Sequence, residues 1–154
     1  MNIKNKSALI IFILIPLAVG SLSAVLSGNS AAYSTLNKPP LSPPPFIFPI
    51  VWTILYILMG ISSYIIYESE DPEKNKALRL YFIQLFFNFF WSIFLFGFSM
   101  YFFAFLWLLV LIILIVLMIY QLHKISPVAA YLPIPYLLWC LFAAYLNFKI
   151  YQLN

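Results

Sequence analysis

Side chains able to carry acid–base, nucleophilic or metal chemistry are nearly missing from this chain. Its 154 residues include four aspartates and glutamates, one histidine and one cysteine. His123 stands beside Lys124 with no second histidine, cysteine or carboxylate at ligand spacing, so no metal site is expected. There is no Ser–His–Asp arrangement, no glycine-rich phosphate loop and no Walker motif. Cys140 lies in an apolar run and has no partner for an intramolecular disulfide, so it says nothing of redox compartment. Formal charge is absent from Leu80 through Leu122. No carboxylate or basic residue falls inside any of the long apolar stretches, which argues against an ion pump or proton relay.

What is present is apolar. Hydrophobic residues make up 65% of the chain and charged ones only 8%, against about 25% charged in ordinary soluble domains. The mean hydropathy is +1.02. A globule this short cannot hide that much apolar surface from water, whereas a bilayer is itself an apolar solvent. The net charge of +4 comes from eight scattered lysines and arginines. That scatter fits membrane topology and lipid headgroups rather than nucleic acid.

A bilayer core of about 30 Å takes about 20 helical residues. The apolar runs predict an all-α integral membrane protein, a bundle of five transmembrane helices in a single domain spanning 1–154. The helices are placed at 7–27, 46–67, 79–98, 101–122 and 128–151, with a lid loop at 28–45. The stretch from Leu80 to Leu122 is about twice too long for one crossing, so it turns back at Gly97-Phe98-Ser99-Met100. The charged segment Glu68 to Arg79 reads as a solvated loop, and Pro133 and Pro135 loosen the start of the last helix. Lys4 and Lys6 before the first run, with Ser21-Leu22-Ser23 within it resembling a cleavage site, have features of a signal peptide. The run is longer than a usual signal core, which favours a retained helix. Lys4, Lys6, Lys74, Lys76, Arg79 and Lys124 fall on the amino-terminal side and Lys38 and Lys149 on the other, which predicts the N-terminus inside.

Within the spans the polar and small residues recur every three or four positions, and so share helix faces. Gln84, Asn88 and Ser92, with Trp91 beside them, form one such face. Trp139, Ala143 and Asn147 form a second, and Trp52, Tyr56, Gly60 and Ser63 a third. Gly20, Ala24 and Gly28 make a small-residue stripe for close helix packing. Two readings follow for the polar faces. Asn88 and Asn147 can join helices through hydrogen bonds worth about 1 kcal/mol each. Alternatively, the three faces converge on one internal pocket whose aromatic walls and few amides suit a large, flat, mostly apolar ligand. Trp107 reads as lipid-facing, and Tyr67, Tyr101, Tyr120 and Tyr151 as interfacial anchors.

Four stretches carry a family resemblance. The segment from Ala32 to Pro44 resembles the loop W-Y-x-x-L-x-K-P-P-W-x-P-P of the TspO/MBR family, the tryptophan-rich sensory and translocator proteins. Phe48 to Gly60 is similar to F-P-x-V-W-T-x-L-Y-x-L-M-G, and Gln84 to Ser92 to Q-L-x-x-N-x-x-W-[SP]. Pro135 to Trp139, with Ala143, Leu146, Asn147 and Phe148, is similar to the last-helix pattern. The resemblance implies a pocket inside five packed helices, closed by the first loop. Trp52, Tyr56, Asn88, Trp91, Trp139, Ala143, Leu146 and Asn147 would line it, and Tyr33, Pro43 and Pro44 would form its lid. It further implies binding of porphyrins such as protoporphyrin IX or haem, and of isoquinoline carboxamides or benzodiazepine-type ligands, by a homodimer in a bacterial cell membrane, without an intrinsic cofactor. Alternatives within the resemblance are light-dependent porphyrin degradation, with Trp52 and Trp139 as the reactive side chains, and transport of porphyrin or sterol-like lipids. Family loop tryptophans are replaced here by Ala32, Leu41 and Phe46, and Trp107 stands where an acidic residue is often found. The sterol pattern after Leu146 and Tyr151 lacks its basic residue. The alternative match Leu141-Tyr145-Lys149 is of a kind that arises cheaply in a chain so rich in Leu and Tyr, so no dedicated sterol site is expected.

Overall fold

The computed structural model describes residues 3–28 and 31–154. Among them, regular structure is helical throughout: α1 (Lys6–Leu26), α2 (Ile47–Glu68), α3 (Lys74–Ser92), α4 (Tyr101–Ile125), α5 (Pro127–Tyr131) and α6 (Ile134–Leu153). A π-turn, Ile93–Gly97, extends α3, and α5 and α6 together make one crossing. Five spans are long and apolar enough to cross a bilayer, and the chain is a multi-pass integral membrane protein. Residues 29–30 of the expected lid lie outside the described residues.

Local chemistry sets the ends. Asn5 caps α1 by accepting the Ala8 amide at 3.1 Å. Gly28 closes the helix with φ +82°, a conformation that favours glycine. Gly28 is therefore a terminator, and a Cβ there would meet nothing within 4 Å; it is not part of a close-packing stripe. The charged connection is shorter than the sequence suggests. Ser69 Oγ accepts the Asp71 amide and Asp71 Oδ1 accepts the Glu73 amide, which folds a tight turn and lets α3 start at Lys74 rather than 79. At the far end of α3, Phe98 N–H reaches Ile93 O and Met100 N–H reaches Phe94 O, with Ser99 at φ 54°. The chain thus reverses at Gly97 to Met100. Ser126 caps α5, Pro127 occupies its first position, and the break before α6 comes at Pro133.

Around the bundle α1 packs on α2, α2 on α5, α5 and α6 on α4, α4 on α3, and α3 back on α1. Met59, Ile66, Leu111, Ile115, Met118, Leu122, Tyr136 and Cys140 are buried at the centre, while Ile10, Leu14, Ile54, Phe86, Ile113 and Leu138 face outward. This inside-out distribution suits lipid as the surrounding solvent. Direct hydrogen bonds fix the ends of the bundle. Tyr64 Oη accepts both the Lys4 and Asn5 amides, and Gln121 Nε2 donates to Glu73 Oε2 at 2.7 Å. At the opposite end Asn37 and Asn154 join the lid loop to the tail of α6. Trp107 is half-buried rather than turned to lipid. It stacks on Phe87 with centroids 4.3 Å apart and donates its N–H to Phe87 O at 2.7 Å, because a buried indole N–H needs an acceptor.

Candidate functional site: an aromatic cleft between three helices

A cavity of about 340 Å³ lies between α1, α2 and α3, within the range of roughly 300–1,000 Å³ found for small-ligand sites. Its aromatic wall is Phe48, Trp52 and Tyr56 from α2 and Trp91 from α3; its opposite wall is α1, with Gly20, Ser23, Ala24 and Ser27. Gly20 permits this arrangement, since a Cβ there would run into the ring of Tyr56. Ser21 on α1 and Pro49 and Thr53 on α2 are exposed rim residues, so the cleft opens sideways between α1 and α2. No charged side chain is among its lining residues.

The floor is a network of neutral hydrogen bonds. Tyr56 Oη donates to Asn88 Oδ1 at 2.7 Å, Asn88 Nδ2 donates to Tyr136 Oη at 3.0 Å, and Tyr136 Oη donates to Gln84 Oε1 at 2.8 Å. Gln84 Nε2 ends the chain on Met59 Sδ. In a low-dielectric interior such satisfied networks fix geometry as much as they add stability. They also hold the rings of the wall: Trp52 stacks on Tyr56 at 5.5 Å and lies within 6.3 Å of Trp91 and 6.1 Å of Tyr136.

The four tryptophans divide into two pairs. Trp91 gives its N–H to Asn147 Oδ1 at 2.9 Å, and Trp107 gives its own to Phe87 O. The indole N–H groups of Trp52 and Trp139 have no acceptor among the described residues. Trp52 therefore combines an aromatic ring in the cleft wall with a donor not used inside the protein, which is the chemistry that suits a planar heteroaromatic molecule.

Of the residues expected at a ligand site, Trp52, Tyr56, Asn88 and Trp91 line this cleft. Ala143, Leu146 and Asn147 are buried on α6 but are not part of its wall. Asn147 is engaged at both ends, accepting from Trp91 and donating to Tyr101 O at 2.8 Å. Trp139 is half-buried and meets the site through Phe48, edge to face at 6.1 Å. Tyr33 lies behind the same Phe48 at 4.9 Å and against Phe96 at 6.2 Å. Its hydroxyl donates to Pro43 O at 2.6 Å, and Lys38 Nζ caps its carbonyl and covers its ring. Burial pushes the Tyr33 phenol above its ordinary value, which keeps it a donor. Pro45, not Pro43 or Pro44, is the lid proline that touches the cleft.

The α1 wall was not anticipated as a ligand surface. Ser23, Ser27 and Gly20 share a face at helical spacing, and this was the available signal. Ser23 Oγ donates to Phe89 O at 2.6 Å and meets Ser92 Oγ at 2.9 Å, tying α1 to α3 at the back of the cleft. Among the described residues no three His, Cys, Asp or Glu side chains gather where they could hold a metal ion.

Comparison with known proteins agrees with these features. The sequence model of the TspO/MBR family matches residues 12–153. The chain is 38% identical to the Tryptophan-rich protein TspO of Chlorobaculum tepidum, over 90% of each chain. It is 37% identical to the Translocator protein of Ovis aries, covering 79% of this chain and 74% of that one. It is 33% identical to the Tryptophan-rich sensory protein of Cereibacter sphaeroides, covering 79% and 76%.

Proposed function

Since the chain belongs to the TspO/MBR family, we propose that it is a membrane sensor or receptor that captures a tetrapyrrole such as protoporphyrin IX in the α1–α2–α3 cleft. The observation that carries this reading is Trp52: a ring held by Tyr56, Trp91 and Tyr136 in the wall of an uncharged cavity, with an N–H that no described residue engages. The opening toward lipid between α1 and α2 suits a ligand that partitions into the bilayer, and it leaves room for ionised substituents outside the uncharged walls. Haem and synthetic isoquinoline carboxamides or benzodiazepine-type molecules share the flat, largely apolar character that the cleft accepts. The N-terminus lies inside a bacterial cell membrane on this reading, with Lys4, Lys6, Lys74, Lys76, Arg79 and Lys124 on its side, and the protein works as a homodimer.

The test is titration of the purified protein with protoporphyrin IX in detergent and darkness, following tryptophan fluorescence. Saturable quenching that weakens at least several-fold in Trp52→Phe supports the proposal. Quenching that rises linearly, or is identical in Trp52→Phe, defeats it.

Light-dependent porphyrin degradation is a second reading, favoured by the contact of Trp52 with Tyr56 and Trp91 at the cleft. On that reading illumination bleaches bound porphyrin in the parent protein and not in Trp52→Phe, while dark binding persists. Trp139, held outside the cleft wall, would then contribute less than Trp52.

A further inference from the structure

Helix α1 is held unequally on the two sides of Pro16. Before the proline it is clamped. Tyr64 Oη accepts the Lys4 and Asn5 amides at 3.1 Å each, Phe12 lies against the ring of Tyr67 at 4.9 Å, and Gly60 packs on the backbone of Phe12 and Ile13 with no room for a side chain. Beyond the proline, from Leu17 to Leu26, Ser23 is the one buried residue, while Ser21, Leu22, Val25 and Leu26 are exposed. Of the five spans, α1 has the smallest share of buried residues.

Ser23 is also the side chain that ties this half of α1 to another helix. Its hydroxyl donates to Phe89 O at 2.6 Å, and since its one proton is spent there, Ser92 Oγ is the donor in the 2.9 Å contact between the two serines. Ser27, just after the helix, turns its hydroxyl back to Ala24 O. The end of α1 meets Gly97 at ordinary van der Waals distance, where an added Cβ would stand 3.6 Å from Leu26 O. Pro16 itself has no amide hydrogen for Phe12 O, and a proline inside a helix is where bending comes most readily. With Gly20, Ser23 and Ala24, the half beyond Pro16 is the wall that closes the cleft on one side.

We propose that α1 beyond Pro16 is the gate through which a bilayer-borne ligand enters the cleft, hinged at Pro16 and latched on α3 by Ser23. The inference deepens the tetrapyrrole reading above and takes only its ligand from it. A rigid planar ring system cannot bend its way past the rings of α2, where the bond from Tyr56 to Asn88 and the stack of Trp52 on Tyr56 fix the opposite wall. It is α1 that yields, with one polar tie to break. Gly20 leaves it no side chain to drag across the ring of Tyr56. The clamp before Pro16 keeps the rest of the α1–α2 contact closed during the movement.

Hydrogen exchange of the full chain in detergent tests hinge and latch without any ligand. Ser23→Ala should accelerate exchange of amides 18–26 several-fold and leave amides 7–15 unchanged. Equal acceleration on both sides of Pro16, or none, overturns the proposal. Entry is tested with the double variant Ser23→Cys and Ser92→Cys, which replaces two touching hydroxyls by thiols that oxidation can join, Cys140 being buried. Stopped-flow quenching of tryptophan fluorescence by protoporphyrin IX should be about tenfold slower in the oxidised form and recover on reduction. Association as fast in the oxidised form as in the reduced one overturns the gate. If the parent protein gives no saturable quenching, the ligand reading fails, and exchange in Ser23→Ala decides the gate by itself.

Discussion

Pro16 and Gly60 answer each other across the contact of α1 and α2. Pro16 has no amide hydrogen, so the Phe12 carbonyl four residues earlier loses its helical donor, and Gly60 of α2 packs on that same carbonyl. A Cβ on Gly60 would stand 2.6 Å from Phe12 O and 2.5 Å from Ile13 Cα. The obstacle is backbone and cannot rotate away. A Gly60 Cα–H against a carbonyl is the weak contact that recurs where helices approach closely.

Gly60→Ala should therefore push α1 from α2 and lower stability by about 1–3 kcal/mol, the usual cost of overpacking a tight interior. Thermal unfolding in detergent measures this. Gly28→Ala is the contrast: nothing crowds that site, but its φ of +82° strains any side chain, so its smaller loss should come from the end of α1 alone. Equal stability of Gly60→Ala and the parent would contradict the packing argument.

Asn147 is predicted to matter for stability rather than for ligand. It accepts from Trp91 and donates to Tyr101 O, joining α6 to α3 and to the start of α4. Asn147→Leu leaves the Trp91 N–H without its acceptor. A double-mutant cycle with Trp91→Phe should show a coupling of about 0.6–1.7 kcal/mol, the range of interhelical hydrogen bonds in membranes. Protoporphyrin affinity of Asn147→Leu should change less than that of Trp52→Phe.

These results bear on what the sequence could disclose. The inward face of α3 was legible, because Gln84, Asn88 and Ser92 recur every four residues and a polar group in lipid must turn toward protein. The count of spans followed from hydropathy and length for the same reason. The partition of tryptophans was not legible. Trp91 and Trp52 look alike in sequence, and only the placement of Asn147 determines that one donor is consumed and the other is free. Likewise Trp139 and Ala143 read correctly as an inward-turned face, but which neighbour that face meets depends on how the helices are ordered around the bundle, which periodicity does not encode. Trp107 misled because an apolar residue in an uncharged run looks like lipid surface. Its N–H found a backbone carbonyl that no local pattern marks.

Tyr33 sets a pH dependence for the lid. Its phenol is buried and held above the ordinary value of 10.0, so the folded lid favours the neutral, donating form. The sign follows from linkage: this contribution is complete below pH 10 and falls away as pH rises through the raised value, because the folded state then retains the proton longer than the unfolded one. Protease cleavage between residues 35 and 45 should accelerate above pH 10 in the parent. Tyr33→Phe, lacking the bond to Pro43 O, should be cleaved faster at neutral pH and lose that extra alkaline step.

Asn37 and Asn154 make the last prediction. The Asn37 amide donates to Asn154 Oδ1 at 3.2 Å, Asn37 Nδ2 donates to Leu153 O at 3.3 Å, and Asn154 Nδ2 returns a bond to Asn37 O at 3.0 Å. Three bonds between the lid loop and the tail of α6 form a clasp, but an exposed one. Each is worth at most about 0.5–1.5 kcal/mol even where water does not compete, so global stability should barely move when it is cut. Local opening is a different quantity. A loop held by few buried contacts opens at a free energy set by its ties, and this clasp is one of few. Asn154→Ala should leave the unfolding temperature within a degree or two, while hydrogen exchange of amides 31–45 accelerates several-fold and that of α3 stays unchanged. Asn154→Ala cuts the two bonds to the Asn37 backbone and leaves Asn37 Nδ2 on Leu153 O, so the double variant with Asn37→Ala, which removes that third bond, should accelerate exchange further. Exchange no faster in the double variant than in Asn154→Ala would mean that the Asn37 side chain does not hold the lid.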